Sequence, residues 1–76
     1  MNIKKLKSVF EEKGMVKFKL YGLEYTIQKV DDGVVIFADL YDSKKEKYDD
    51  VDLLLKQHYI YGENIEDNEE RILNIY

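Results

Sequence analysis

The sequence lacks cysteine, proline and tryptophan, and it contains a single histidine in 76 residues. Without cysteine a disulfide framework is excluded, and with one histidine a structural zinc site is excluded as well. A chain of this length buries only about 60% of the surface that its unfolded form exposes, so its core is small. Residues 1–76 are therefore predicted to form one globular domain that is stabilised by packing or by self-association.

Long apolar runs are also missing. The charged residues Lys4, Lys5, Lys7 and Glu11 interrupt the N-terminal segment and leave no apolar core for a signal peptide. No stretch approaches the roughly 20 apolar residues that a transmembrane helix needs. The absence of cysteine fits a reducing compartment. These features together predict a cytoplasmic protein that does not contact a membrane.

Charge is unevenly distributed along the chain. Residues 1–22 hold six lysines and two glutamates, a net charge of +4, whereas residues 23–76 hold six basic and fourteen acidic side chains, a net charge of −8. A dipolar surface of this kind can steer a charged partner or favour head-to-tail association. Small soluble domains need surface charge in any case, so the pattern alone does not identify a partner.

The first predicted element is an amphipathic helix. Ile3, Leu6, Val9 and Phe10 recur at three- and four-residue spacing, which places them on one face of a helix. Gly14 is the expected end of the helix, because glycine adopts the left-handed conformation at no steric cost.

The hydrophobic period then changes to two, which predicts a hairpin made of the segments MVKFKLY and LEYTIQKV. A two-residue turn at Tyr21-Gly22 brings apolar residues together on one side and sets Lys19 opposite Glu24 on the other. The apolar pairs would be Leu20 with Leu23, Phe18 with Tyr25 and Val16 with Ile27. A slip of one residue would reverse every side chain, so the pattern specifies this register.

The segment Asp31-Asp32-Gly33 is predicted to be a hairpin corner and not a ligand cluster. It lies between Val30 and Val34, and Asp-Gly between apolar runs is a strong hairpin signal because glycine supplies the positive φ that such turns need. A calcium loop of the EF-hand type alternates its ligands and closes with glutamate at the twelfth position. Here the aspartates are adjacent and the twelfth position is Asp42. We therefore expect no metal site.

The next segment, VVIFADLY, is apolar on both sides. A two-residue turn at Asp32-Gly33, which we favour, sets Leu40 opposite Tyr25 and Ala38 opposite Ile27. A three-residue turn with a glycine bulge would send the other apolar set inward.

In the favoured register Val35, Phe37 and Tyr41 are left outside the core. A long apolar edge strand invites pairing with other chains, so something is expected to cover it. The candidates are a short fourth strand through Lys47-Tyr48, the C-terminal helices, or a second copy of the protein.

Two further helices are predicted at the C-terminal end. Asp49 or Asp50 would cap the segment VDLLLKQHYI, and Tyr61-Gly62 would break it. Glu63 or Asn64 would cap the segment ENIEDNEERILNIY. The predicted order is α-β-β-β-(β)-α-α, an α+β fold in which helices pack on an antiparallel meander sheet. The predicted core comprises Phe10, Phe18, Leu20, Tyr25, Ile27, Leu40 and Leu54.

Side chains suited to catalysis are few. Ser8 and Ser43 are the only serines, His58 is the only histidine, and no glycine-rich phosphate loop is present. A nucleophile, a base and an orienting group would all have to converge on His58 from distant parts of the chain. We therefore expect no enzyme activity, no catalytic residue and no cofactor.

Seven tyrosines in so short a chain are its most unusual feature. Tyrosine offers stiff, amphipathic contact area and is enriched where proteins meet. We therefore expect a small non-catalytic module that binds a protein partner or forms a homodimer through an aromatic surface that includes the third strand. The expected contact residues are Val35, Phe37, Tyr41, Tyr48 and Tyr61.

Two other functions stay open at this point. One is an anionic-ligand or nucleic-acid binder that uses the N-terminal lysines Lys4, Lys5, Lys7, Lys17 and Lys19. The net charge of −4 argues against it, because nucleic-acid affinity depends largely on neutralising phosphates. The other is an enzyme or ligand-binding protein whose pocket the sequence does not reveal.

Overall fold

The computed structural model describes residues 2–76, and these form an α+β fold in which helices cover one face of an antiparallel sheet. The two helices are α1 (Asn2–Lys13) and α2 (Val51–Gln57). The strands are β1 (Met15–Leu20), β2 (Leu23–Val30), β3 (Gly33–Ala38), β4 (Glu46–Tyr48), β5 (Tyr59–Ile60) and β6 (Glu63–Asn64). The first four form one sheet in sequence order, and the last two form a separate small hairpin. Within residues 2–76 no helix is long and apolar enough to cross a bilayer.

The first helix and the first hairpin agree with the predictions. Helix α1 ends before Gly14, which has a φ of +74°. Strands β1 and β2 pair with Leu20 opposite Leu23, Phe18 opposite Tyr25 and Val16 opposite Ile27. All but the half-buried Leu23 lie in the core, where the Phe18 and Tyr25 rings stack with their centroids 5.5 Å apart.

The second corner is a hairpin turn, but the favoured register was wrong by two residues. Val30 pairs with Gly33, so Asp31 and Asp32 form the turn, and Ala38 lies opposite Tyr25. A shift of two residues keeps each side chain on its face, so Val34 and Ile36 point into the core. Gly33 begins β3 at a φ of +155°, and a Cβ there would overlap the carbonyl oxygen of Tyr48. The glycine therefore permits β4 to approach β3 closely.

Of the three candidates for covering the β3 edge, the short fourth strand is present and lies beside β3, with Val34 opposite Tyr48 and Ile36 opposite Glu46. The prediction that Leu40 belongs to the core was wrong. Strand β3 ends at Ala38, a 3₁₀ turn follows over Asp39–Tyr41, and Leu40 is 76% exposed.

Helix α2 is shorter than predicted. Asp50 caps it by accepting a 2.9 Å hydrogen bond from the Leu53 backbone N–H, and the helix ends at Gln57. The segment Tyr59–Ile60, predicted as helix, instead pairs with Glu63–Asn64 across the Tyr61-Gly62 turn, where both residues have positive φ. A tight hairpin therefore replaces the last turn of the predicted helix.

The third helix, predicted over 63–76, is absent from the structure. After β6 the chain forms a 3₁₀ turn at Glu69–Arg71 and then runs extended along the free edge of β1. The Leu73 N–H donates to Lys19 O and the Tyr76 N–H donates to Lys17 O, both at 2.9 Å, and both bonds are returned. Asn74, at a φ of +53°, forms a bulge between these pairs. Residues 73–76 therefore pair with the β1 edge, and the buried apolar residues of the C-terminal region are Ile65 and Ile72.

The core lies between the sheet and the helices. Of the seven predicted core residues all but Leu40 are buried. The remaining buried apolar residues are Leu6, Val16, Val34, Ile36, Leu55, Ile60, Ile65 and Ile72.

Candidate partner-binding site

The outer face of the sheet, which we define as the side opposite the core, carries no helix. Val35 and Phe37 lie on this face at alternate positions of β3 and are half-buried. The buried apolar residues of the two helices join the core on the other side, together with Ile65, Ile72 and Ile75, whereas Leu73 and Tyr76 are exposed. Two neighbours flank Phe37: Thr26 is its partner on β2, and the Lys45 ammonium lies 5.0 Å from its ring centroid.

A recess opens where β3 and β4 separate. Strand β4 begins at Glu46, opposite Ile36, so Phe37 and Ala38 have no strand partner on that side. The resulting recess has a volume of about 250 Å³. We call it the aromatic recess, and the residues that line it are Tyr25, Ile36, Phe37, Ala38, Tyr41, Lys44, Glu46 and His58. Tyr41 is 56% exposed at its mouth, and Tyr25 is 8% exposed within it.

A polar pair supports one wall of the aromatic recess. The Tyr48 hydroxyl and His58 Nδ1 share a 3.0 Å hydrogen bond, and Glu46 Oε2 lies 3.4 Å from the same nitrogen. Burial lowers the pKa of His58, an effect that the Glu46 charge only partly opposes. Burial, with the help of Glu46, raises the pKa of Tyr48. His58 is therefore neutral at neutral pH, and its contact with Glu46 is not an ion pair.

A second polar network lies beside the recess, at the turn that carries Tyr41. Thr26, 1% exposed, donates a 2.6 Å hydrogen bond to Asp39 and accepts one of 2.8 Å from the Lys17 ammonium. Lys17 also pairs with Asp39 at 3.1 Å. Burial raises the pKa of Asp39, but its bonds to Thr26 and Lys17 outweigh this and hold the pKa below its usual value. The network holds the 3₁₀ turn that carries Tyr41 against the sheet.

The structure brings together some of the predicted contact residues and separates others. Phe37 and Tyr41 line the aromatic recess, and Tyr48 supports it through His58. Val35 lies farther along β3 on the outer face. Tyr61 is 77% exposed and packs edge-on against Tyr21, with ring centroids 4.8 Å apart, so it belongs to a neighbouring surface.

Tyr25 and His58 were not among the predicted contact residues. Tyr25 was predicted to be core, and it serves the core and the recess at once. His58 was predicted to lie within a helix, whereas the extended conformation after Gln57 brings its ring to Tyr48. No local sequence pattern indicates either role, because each depends on contact between distant elements.

The N-terminal lysines do not share one surface. Lys4 and Lys5 are exposed on α1, which packs on the core side of the sheet, whereas Lys17 and Lys19 project from the outer face. Lys7 is neutralised by Asp52 at 2.6 Å, and Lys17 by Asp39.

Comparison with known proteins adds no family or homologous fold. No protein-family model matches the chain, and neither the search of curated proteins nor the search of solved structures found a match. Among residues 2–76 no three histidine, aspartate or glutamate side chains are arranged to hold a metal ion.

Proposed function

We propose that this protein is a small non-catalytic protein-binding module. The aromatic recess and the adjoining outer side of β3 form its contact surface. The observation that carries the proposal is the placement of Phe37 and Tyr41 around a recess at the lateral edge of the sheet, where β4 stops short of the end of β3.

The shape and chemistry of the recess suit an apolar or aromatic side chain of a partner. Aromatic walls provide contact area at low entropic cost, and buried aromatic pockets commonly hold the residues that dominate binding energy. Lys44 and Glu46 at the margin offer one charge of each sign to polar groups around that side chain. A protein segment with an apolar anchor and a polar rim fits this arrangement.

A catalytic role has little support in the arrangement of side chains. The Thr26 hydroxyl is hydrogen-bonded within the Lys17 and Asp39 network, but the residue is 1% exposed and cannot meet a substrate. His58 contacts Tyr48 and Glu46, and no serine lines the recess. His58 therefore has no serine nucleophile within the recess to activate.

Sedimentation velocity over a wide concentration range tests whether the partner is a second copy. We expect Phe37→Ser to weaken any association of the chain, and Tyr59→Ser to leave it unchanged. Tyr59 is a matched control because it is 63% exposed and does not line the recess. Association that both variants retain would contradict the proposal.

A salt titration with duplex and single-stranded DNA and RNA tests the competing function. The lysines lie on opposite sides of the sheet and two of them are paired with aspartate, so we expect no tight binding. Affinity that is strong at low salt and falls steeply as salt rises would favour the nucleic-acid alternative and replace the proposal.

A further inference from the structure

A second concavity lies at the end of β3 opposite the aromatic recess. It is a groove of about 520 Å³ between the end of α1, the β2–β3 turn and the start of α2. Phe10 and Val34 form its buried floor, at 7% and 4% exposure, and the half-buried Val30 and Val51 extend the apolar surface. The volume lies within the range of sites that bind ligands.

Exposed carboxylates surround this apolar floor. Glu11, Asp31, Asp49 and Asp50 line the groove, and Lys29 is the one basic residue that lines it. Asp50 uses one oxygen to cap α2. Within residues 2–76 neither Asp31 nor Asp49 takes part in a side-chain hydrogen bond or an ion pair with another residue. The rim therefore presents a net negative charge, with four carboxylates against one ammonium.

We propose that this acidic groove binds a short segment of a partner protein that bears lysine or arginine beside an apolar side chain. The long aliphatic stem of lysine or arginine packs on apolar surface while its charged end reaches outward. An apolar floor with a carboxylate rim satisfies both parts of such a side chain at once. The neighbouring apolar residue of the segment would occupy the floor near Phe10.

Other occupants fit the groove less well. The carboxylates repel phosphate, which disfavours nucleic acid. They are spread over three elements around an apolar centre, and residues 2–76 contain no cluster suited to a metal ion. A basic segment is the occupant whose charge and shape complement both features.

The test uses a defined peptide and heteronuclear NMR of the intact chain. The probe is the acetylated, amidated peptide Gly-Ser-Lys-Leu-Arg-Lys-Ser-Gly. One control peptide replaces its three basic residues with glutamate, and another replaces leucine with serine. We expect the probe to shift the amide signals of Val30, Val34 and Val51 and to leave those of Phe37 and Tyr41 in place. The glutamate peptide is expected to cause no shifts, and the serine peptide to bind more weakly.

Charge-removing variants make the test specific. Asp31→Asn combined with Asp49→Asn removes two rim charges and should raise the Kd of the probe about tenfold, since each exposed charge pair contributes a factor of about two to five. Asp42→Asn combined with Glu70→Gln changes the net charge equally but lies outside the groove, and should change the Kd less than twofold. Added salt should weaken binding.

Several results would overturn the proposal. These are an absence of shifts at millimolar probe, equal shifts with the glutamate peptide, or an equal loss of affinity in both double variants. Self-association that only the Asp31 and Asp49 variant abolishes would identify the occupant as a second copy instead. Phe37→Ser leaves the acidic groove intact, so failure here and failure at the aromatic recess are distinguishable.

Discussion

Replacing Phe37 with serine separates a contact residue from a core residue. Phe37 lies half-buried on the outer face, so its removal opens no enclosed cavity. The expected loss is about 1–2 kcal/mol of unfolding free energy from the apolar area that the ring now covers. Loss of the Lys45 cation–π contact adds about 0.5–1 kcal/mol. By contrast, Phe18 is 0% exposed, and Phe18→Ala should cost about 3–5 kcal/mol.

Thermal and urea unfolding of the two variants measure this difference. For a domain of this size each kcal/mol lowers the melting temperature by roughly 4–8 °C, so Phe37→Ser should remain folded at room temperature while Phe18→Ala should not. The folded Phe37→Ser variant should also lose its association with a partner. A stability loss equal to that of Phe18→Ala, with association unchanged, would show that the ring is core and would refute the reasoning.

Three further substitutions test other parts of the structure. Gly33→Ala should cost more than about 1 kcal/mol in urea unfolding, because its Cβ would meet the Tyr48 carbonyl; an unchanged midpoint would contradict that approach of β4 to β3. Asn68→Leu should lower the free energy of unfolding by about 3 kcal/mol or more. Asn68 is fully buried, donates hydrogen bonds to the carbonyls of Glu63 and Asn64, and accepts one from the Tyr21 hydroxyl. An unchanged unfolding free energy would mean that these bonds are dispensable. Burial lowers the folded-state pKa of His58 below the 6.5 of a solvent-exposed histidine, so the unfolded chain binds its proton more readily and stability should fall as pH drops below about 6.5. His58→Asn should remove that part of the pH dependence of the melting temperature, and an identical profile in the variant would show that His58 does not cause it.

The register of the first hairpin could be predicted to the residue, whereas that of the second could not. One face of β1 and β2 is apolar and the other polar, so a slip of one residue is heavily penalised. Turns at Asp31-Asp32 and at Asp32-Gly33 differ by a shift of two residues, which keeps every side chain on its face. The hydrophobic pattern therefore cannot distinguish them. In the structure Gly33 pairs with Val30 and lies against the backbone carbonyl of Tyr48, a contact with another strand that the pattern of β2 and β3 does not report.

The C-terminal region departs most from the prediction. Its acidic residues and scattered apolar residues are compatible with a helix, but Tyr61 and Gly62 adopt a hairpin turn, and Asn74 adopts positive φ in a bulge. Asn68 then fixes the loop through its side-chain amide, which donates to the carbonyls of Glu63 and Asn64 in β6. Such tertiary hydrogen bonds leave no periodic signal in the sequence.

The candidate site could likewise be predicted only in part from the sequence. Alternation within β3 places Val35 and Phe37 on one face, and this could be read from the sequence. The recess itself depends on the separation of β4 from β3 and on the position of His58 after α2. Neither feature is encoded in a short segment, so the aromatic residues could be named in advance but their arrangement could not.

Site-specific photocrosslinking in cells tests the central claim most directly, namely that the aromatic recess contacts another protein. A benzophenone amino acid would replace Tyr41 at the mouth of the recess, or Tyr59, which is exposed elsewhere, as the matched control. We predict a discrete protein adduct from position 41, none from position 59, and loss of the adduct when Phe37→Ser is combined with the probe. An adduct of twice the chain mass would identify a second copy. Equal adducts from both positions, or an adduct that survives Phe37→Ser, would contradict the account.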